Sequence, residues 1–99
     1  MRVSEQDRVN LKRAVSDIVG ADAATRVFGS RLDDSRRGGD LDIYVEVGTA
    51  LKNHAWIAAQ IVARAQHYLG DRRIDVVLRD AASIELPIHR VALETGVLL

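Results

Sequence analysis

Two aspartates in an apolar segment are the residues of this chain whose spacing points most directly to chemistry. Asp40 and Asp42 alternate with the apolar residues of the run Leu41-Asp42-Ile43-Tyr44-Val45. Because successive side chains of a β-strand point to opposite faces, Asp40 and Asp42 share one face, with Cα atoms about 6.8 Å apart. Carboxylate oxygens at this spacing can bind one or two divalent cations.

A small-residue turn before these aspartates adds a second feature. Gly29-Ser30 directly follows the apolar end of a strand predicted at residues 25–28, and the polar residues 31–39 then lead to Asp40. The backbone N–H groups of such a turn are unshielded by any large side chain. Phosphate oxygens require both N–H donors and metal charge, so the whole stretch predicts a metal-dependent nucleotide site.

A third carboxylate, Asp75, lies in the run Ile74-Asp75-Val76-Val77-Leu78. If the two aspartate-bearing strands are neighbours, Asp40, Asp42 and Asp75 converge. Two carboxylates can then hold the metal ions of a phosphoryl-transfer site, while a third completes a metal shell and accepts a proton. Each of these features alone has a simpler interpretation, because aspartates are often found on exposed sheet faces, and Asp75 could form an ion pair with Arg72 or Arg73. The combination favours a site, since aspartate is disfavoured inside strands.

Arginines are concentrated around the glycine–serine turn, namely Arg26, Arg31, Arg36 and Arg37. Two interpretations stay open at this point: a solvated loop, or positive charge that steers phosphate towards the turn.

Apolar periodicity indicates which elements position these residues. The predicted order is helix, strand, strand, helix, strand, helix, and the first two strands are expected to pair antiparallel. This pattern predicts an α/β (α+β) fold with a small mixed or antiparallel sheet of three to four strands packed with helices. The predicted elements are a helix from Ser4 to Gly20, strands at 25–28 and 41–47, a helix at 51–69, a strand at 73–78 and a helix at 83–94 with Pro87 in its first turn.

Size and composition limit the classes of function. Ninety-nine residues form one small domain, residues 1–99, and 14 basic residues balance 14 acidic ones, so we expect neither membrane association nor direct binding of nucleic acid. The chain has no cysteine, and its polar beginning predicts no signal peptide. The three histidines share no metal-ligand spacing, so we expect helix-edge or surface positions for them.

The motif Gly29-Ser30, nine residues, Asp40-x-Asp42 and a later Asp75 resembles the DNA polymerase β-like nucleotidyltransferase superfamily. It is most similar to the minimal nucleotidyltransferase (MNT) proteins, the small partners of HEPN-domain proteins in prokaryotic toxin–antitoxin pairs. The similarity includes the arginine after the serine, the Arg36-Arg37-Gly38-Gly39 segment and the closing run from Pro87. One departure is Gly39, where many relatives have serine.

The resemblance implies a polymerase β-like nucleotidyltransferase core and a cytoplasmic prokaryotic protein. It implies that Gly29, Ser30, Arg31 and Arg37 bind the nucleotide, and that Asp40, Asp42 and Asp75 are catalytic and hold Mg²⁺, with two ions in one site. ATP is then the donor, and AMP is transferred to a tyrosine of a HEPN-domain toxin. A homodimer or a hetero-oligomer is compatible with this family.

Two other functions remain as alternatives. A non-catalytic antitoxin would neutralise its HEPN partner by binding alone, although the retention of all three carboxylates favours catalysis. Transfer to a small molecule, of the aminoglycoside kind, is disfavoured because the chain has no second domain to hold such an acceptor.

Overall fold

The computed structural model describes residues 3–28 and 41–99, and these residues form three helices and one four-stranded mixed sheet. The fold is therefore α+β, as predicted. The elements in chain order are α1 (Glu5–Val19), β1 (Ala24–Phe28), β2 (Leu41–Glu46), α2 (His54–Leu69), β3 (Ile74–Arg79), α3 (Pro87–Thr95) and β4 (Val97–Leu98).

The sheet has the strand order β3-β2-β1-β4. β1 pairs antiparallel with β2, as predicted, and also with β4, whereas β2 and β3 are parallel. Parallel neighbours need a crossover connection, and α2 provides it. The crossover places the two aspartate-bearing strands side by side.

Local signals account for the helix ends. The Ser4 hydroxyl accepts the Asp7 N–H at 3.0 Å and caps the start of α1. Gly20 and Gly70 follow α1 and α2 with φ of 97° and 90°, a region in which a residue with a Cβ is strained.

The alternation of side chains along the strands gives each face of the sheet its own apolar cluster. On one face, α1 and α2 bury Leu11, Val15, Ile61 and Ala65 against the odd-numbered residues of β2. On the other face, α3 covers a smaller cluster, made of Phe28, Tyr44 and Ala92 with Val77 beside them. The second face is also the face of Asp42, so α3 and the aspartate lie on the same side of the sheet.

Two predicted helix starts were too early, because a backbone N–H of one connecting segment and a hydroxyl of the other bind Asp80 instead. α2 begins at His54 rather than near residue 51, and the Leu51 N–H donates to the Asp80 carboxylate. α3 begins at Pro87 rather than Ser83, whose hydroxyl donates to Asp80 Oδ1 at 2.9 Å. Pro87 does occupy the first turn of α3, where its missing N–H has little cost.

Two further observations complete the fold. The strand predicted at residues 73–78 is displaced by one residue, and β4 is an element that apolar periodicity did not show. Within the described ranges, no helix is long and apolar enough to cross a membrane.

Candidate functional site

Asp42 of β2 and Asp75 of β3 lie directly opposite each other in the parallel pairing of the two strands. Neighbouring strands are about 4.8 Å apart, and residues in register share a face of the sheet. Asp75 is exposed and Asp42 is partly exposed, so both carboxylates are accessible to a ligand. The structure thus brings together two of the three predicted carboxylates.

The other predicted site residues lie outside the described residues, namely Asp40, Gly29, Ser30, Arg31 and Arg37. Their expected roles remain predictions. The described ends of the two strands on either side are adjacent, because Phe28, the last residue of β1, pairs with Asp42, the second residue of β2. The end of β1 and the start of β2 therefore lie beside the carboxylate pair.

The Arg73 guanidinium neutralises Asp75 only weakly. Arg73 Nε lies 3.8 Å from Asp75 Oδ2, but 73% of the arginine side chain and 55% of the aspartate side chain are exposed. Exposed pairs of this kind contribute little stability, because water screens them. Arg72, the other arginine considered for Asp75, instead donates to Asp7 at 2.8 Å. Two carboxylates opposite each other repel, and a bound cation would relieve that repulsion.

Tyr44 lies on the same face, two residues beyond Asp42, and is fully buried. It pairs with Arg26 and with Val77 on the adjacent strands, and its ring centroid is 5.8 Å from that of His89 on α3. Within the described part of the chain, its hydroxyl has no hydrogen-bond partner. A buried hydroxyl without a partner is uncommon and costs stability.

Arg79, at the far end of β3, is influenced by Tyr44 and by two acidic groups. Tyr44, and after it Glu85 and Glu46, raise the pKa of the Arg79 guanidinium above its usual value. No hydrogen bond of good geometry joins Arg79 to the Tyr44 hydroxyl, which is unpaired among the described residues. The guanidinium therefore stays charged and helps to balance the acidic groups around the end of β3.

A second polar cluster, centred on Asp80, was missed by sequence reasoning. The Asp80 side chain is 1% exposed and accepts hydrogen bonds from the N–H groups of Leu51 and Ala82 and from the Ser83 hydroxyl, and it contacts His54 Nε2 at 2.8 Å. These contacts, the Leu51 N–H foremost, hold the pKa of Asp80 well below its usual range. Asp80 thereby joins the β2–α2 connection to the β3–α3 connection.

The Asp80 cluster is structural and does not belong to the candidate site. Asp80 follows the carboxyl end of β3, whereas Asp75 lies near the amino end of the same strand. The sequence did carry a short-range signal for the turn at Asp80, because an aspartate that accepts the N–H of the residue two positions later is typical of a turn. The long-range partners Leu51 and His54 carried no such signal.

His89 departs from the expectation that the histidines lie at helix edges or on the surface. It is only 4% exposed, and its Nδ1 accepts the Leu86 N–H at 3.0 Å, which caps the start of α3. An accepting Nδ1 carries no proton, so the neutral ring with a proton on Nε2 is the form that makes this bond. His54 lies at the start of α2, bound to Asp80, and neither histidine contributes to the carboxylate pair.

Among the described residues, no group of three or more His, Cys, Asp or Glu side chains is placed to hold a metal ion. The predicted trio includes Asp40, which is not one of these residues, so this finding does not bear on the trio as a whole. A scan of the sequence against models of known protein families found no match. A comparison with curated proteins also found no similar sequence.

Proposed function

We propose that this chain is a Mg²⁺-dependent nucleotidyltransferase of the MNT type, which transfers AMP from ATP to a tyrosine of a HEPN-domain toxin and so acts as its antitoxin. The observation that supports the proposal best is the register of the sheet, with Asp42 opposite Asp75 on one face. Aspartate is disfavoured inside strands, and two of them in register repel each other. This arrangement places two carboxylate ligands side by side, where a positively charged ligand can bind both.

The donor set fits Mg²⁺, which prefers carboxylate oxygens and keeps several of its waters. Asp40, Asp42 and Asp75 would hold the ion, and the ion would supply positive charge to the triphosphate oxygens and to the phosphorus under attack. Gly29 and Ser30 would offer backbone N–H donors to the triphosphate, with Arg31 and Arg37 adding charge. Asp75, the more exposed carboxylate of the described pair, is suited to accept the proton of the attacking hydroxyl.

A protein acceptor suits the shape of the described site. Asp75 lies on an edge strand of the sheet, and more than half of its side chain is exposed. An open edge lets a flexible segment of a second protein approach the carboxylates and supply the wall that the described residues do not form. This exposure favours a macromolecular acceptor over a small molecule enclosed in a pocket.

The test is to incubate the chain with the HEPN-domain protein of a neighbouring gene, ATP and Mg²⁺, and to measure the intact mass of that protein. We expect increments of one or more AMP units with the wild type and with Asp71→Asn, a control that removes an exposed charge near the site. Asp42→Asn and Asp75→Asn should give no increments. Increments that persist in both of these variants would refute the assignment of the carboxylates.

The same material tests the alternative, a non-catalytic antitoxin. In cells that express the toxin, the Asp40→Asn/Asp42→Asn double variant should bind the partner but fail to protect. If it protects fully, neutralisation occurs by binding alone, and the enzymatic proposal is wrong.

A further inference from the structure

Arg72, in the connection between α2 and β3, is bound through both its backbone and its side chain. Its N–H donates to the Gly70 carbonyl at 2.8 Å, and its carbonyl accepts from Gln66 Nε2 at 2.9 Å. Its guanidinium donates to Oδ2 of Asp7, in the first turn of α1, at 2.8 Å. This one residue is therefore fixed by its own turn, by α2 and by α1.

The ion pair between Arg72 and Asp7 is partly buried. Only 34% of the arginine side chain and 17% of the aspartate side chain are exposed, against 73% and 55% in the neighbouring pair of Arg73 and Asp75. Water screens a partly buried pair less than an exposed one, and a contact of this length is a charge-assisted hydrogen bond. The side chain of Arg72 is therefore held in one position, whereas that of Arg73 is largely in solvent.

Arg72 directly precedes the first backbone contact between the two aspartate-bearing strands. The carbonyl of Arg73 accepts the Leu41 N–H at 2.9 Å. Asp42 is the next residue after Leu41, and it lies opposite Asp75, two residues after Arg73. The contacts of Arg72 are thus placed to determine where β3 begins relative to β2, and with it where the two carboxylates lie relative to each other.

The far end of the same strand pairing is anchored separately. There the Val47 N–H donates to the Arg79 carbonyl, also at 2.9 Å, and Asp80 follows directly and accepts the Leu51 N–H. The pairing of β2 with β3 is therefore anchored by Arg72 next to the carboxylates and by Asp80 at the opposite end. The second anchor supplies a comparison within the same molecule.

We propose that Arg72, held by Asp7, is a positioning residue for the metal site, because it fixes the Asp75 carboxylate relative to that of Asp42. The inference rests on the proposed function, since it takes the two aspartates as metal ligands. Mg²⁺ requires a nearly ideal octahedral arrangement of ligands, so a β3 start that moves relative to β2 weakens the site. Groups that orient metal ligands typically contribute about 10- to 100-fold in metal affinity.

The two adjacent arginines separate positioning from charge. Removing a positive charge near the carboxylates should by itself strengthen the binding of a cation. Arg73→Met removes the guanidinium next to Asp75 and should bind Mn²⁺, which prefers the same ligands as Mg²⁺, at least as tightly as the wild type. Arg72→Met also removes a positive charge, yet positioning predicts Mn²⁺ binding about tenfold weaker than in the wild type.

Paramagnetic resonance of free Mn²⁺ measures these affinities at neutral pH. Asp7→Asn should weaken binding like Arg72→Met, and the double variant should be no weaker than either single one, because all three lose the same contact. Asp80→Asn destabilises the fold at the far end of β3 and should keep the affinity of the wild type. Circular dichroism of each variant confirms that it is folded.

Amide hydrogen exchange in EDTA provides a measurement that needs no metal. Arg72→Met should accelerate exchange of the Leu41 N–H more than that of the Val47 N–H, and Asp80→Asn should do the reverse. A uniform loss of stability would accelerate both amides alike.

Two results would overturn the inference alone: equal acceleration of the two amides in Arg72→Met, or Mn²⁺ binding by Arg72→Met as tight as that of a wild type that does bind the ion. A wild type that binds no Mn²⁺ would refute the proposed metal site, and the inference with it.

Discussion

Replacing Asp75 with asparagine should stabilise the metal-free protein. The substitution keeps the size of the side chain but removes one of two charges that lie opposite each other in register. At the strand spacing of about 4.8 Å, two unit charges repel by about 0.9 kcal/mol in a dielectric constant of 80 and by about 3.5 kcal/mol in one of 20.

Because Asp75 is exposed, the lower of these two repulsion energies applies. Its side chain is 55% exposed and has Arg73 Nε at 3.8 Å, so water and a cation both weaken the repulsion. We therefore expect the free energy of unfolding to rise by up to about 1 kcal/mol, which raises the melting temperature of a domain of this size by up to about 4–8 °C.

The assay is thermal unfolding followed by circular dichroism at neutral pH, low salt and with EDTA. Asp71→Asn is the matched control, because Asp71 is exposed just before β3 and is not part of a strand. Its melting temperature should change little. Added Mg²⁺ should then stabilise the wild type and the control but not Asp75→Asn, which has lost a ligand. An Asp75→Asn variant less stable than the control in EDTA would refute the reasoning, since it would mean that the carboxylates do not repel.

Three other substitutions test the scaffold. The pKa of Asp80 is lowered in the folded protein, so its ionised form stabilises the fold at pH values above the unfolded-state pKa of about 3.9, and this stabilisation is lost as the pH falls below that value. In thermal melts across pH, Asp80→Asn should therefore have a lower melting temperature than the wild type at pH 7. The difference between the two melting temperatures should become smaller in acid. Gly96→Ala places a Cβ against the Ala92 carbonyl oxygen and should cost about 1–3 kcal/mol in urea unfolding, whereas Gly48→Ala meets open space and should not share that loss. Tyr44→Phe removes a buried hydroxyl without a described partner, so chemical unfolding should show unchanged or higher stability, by up to about 1 kcal/mol; a loss of more than that would reveal a hydrogen bond to the hydroxyl.

The parts of the fold that depend on local pattern were predictable from the sequence. Alternation from Leu41 to Val47 indicated both the strand β2 and which of its residues reach the core, and the structure buries the odd-numbered ones. The N-cap at Ser4 and the stop at Gly20 were likewise visible as short-range signals. The juxtaposition of Asp42 and Asp75 followed only on the condition that their strands are neighbours, which the register confirms.

The features that were missed depend on contacts between residues far apart in the chain. β4 has two residues, too few for an apolar period, and it is a strand because β1 pairs with it. The start of α2 depends on Asp80, which binds Leu51 across 29 positions of sequence. His89 is buried because α3 crosses the second face of the sheet, next to Tyr44. None of these contacts leaves a periodic signal in the sequence.

Calorimetric titration with ATP tests the central claim, that the carboxylates form a metal-dependent nucleotide site. The wild type and Asp71→Asn should bind ATP in the presence of Mg²⁺ and lose most of that affinity in EDTA, because carboxylates and triphosphate repel without a cation. Asp42→Asn and Asp75→Asn should bind weakly in both conditions. Equal affinity of the wild type for ATP with Mg²⁺ and with EDTA, or undiminished binding by both variants with Mg²⁺, would contradict the site.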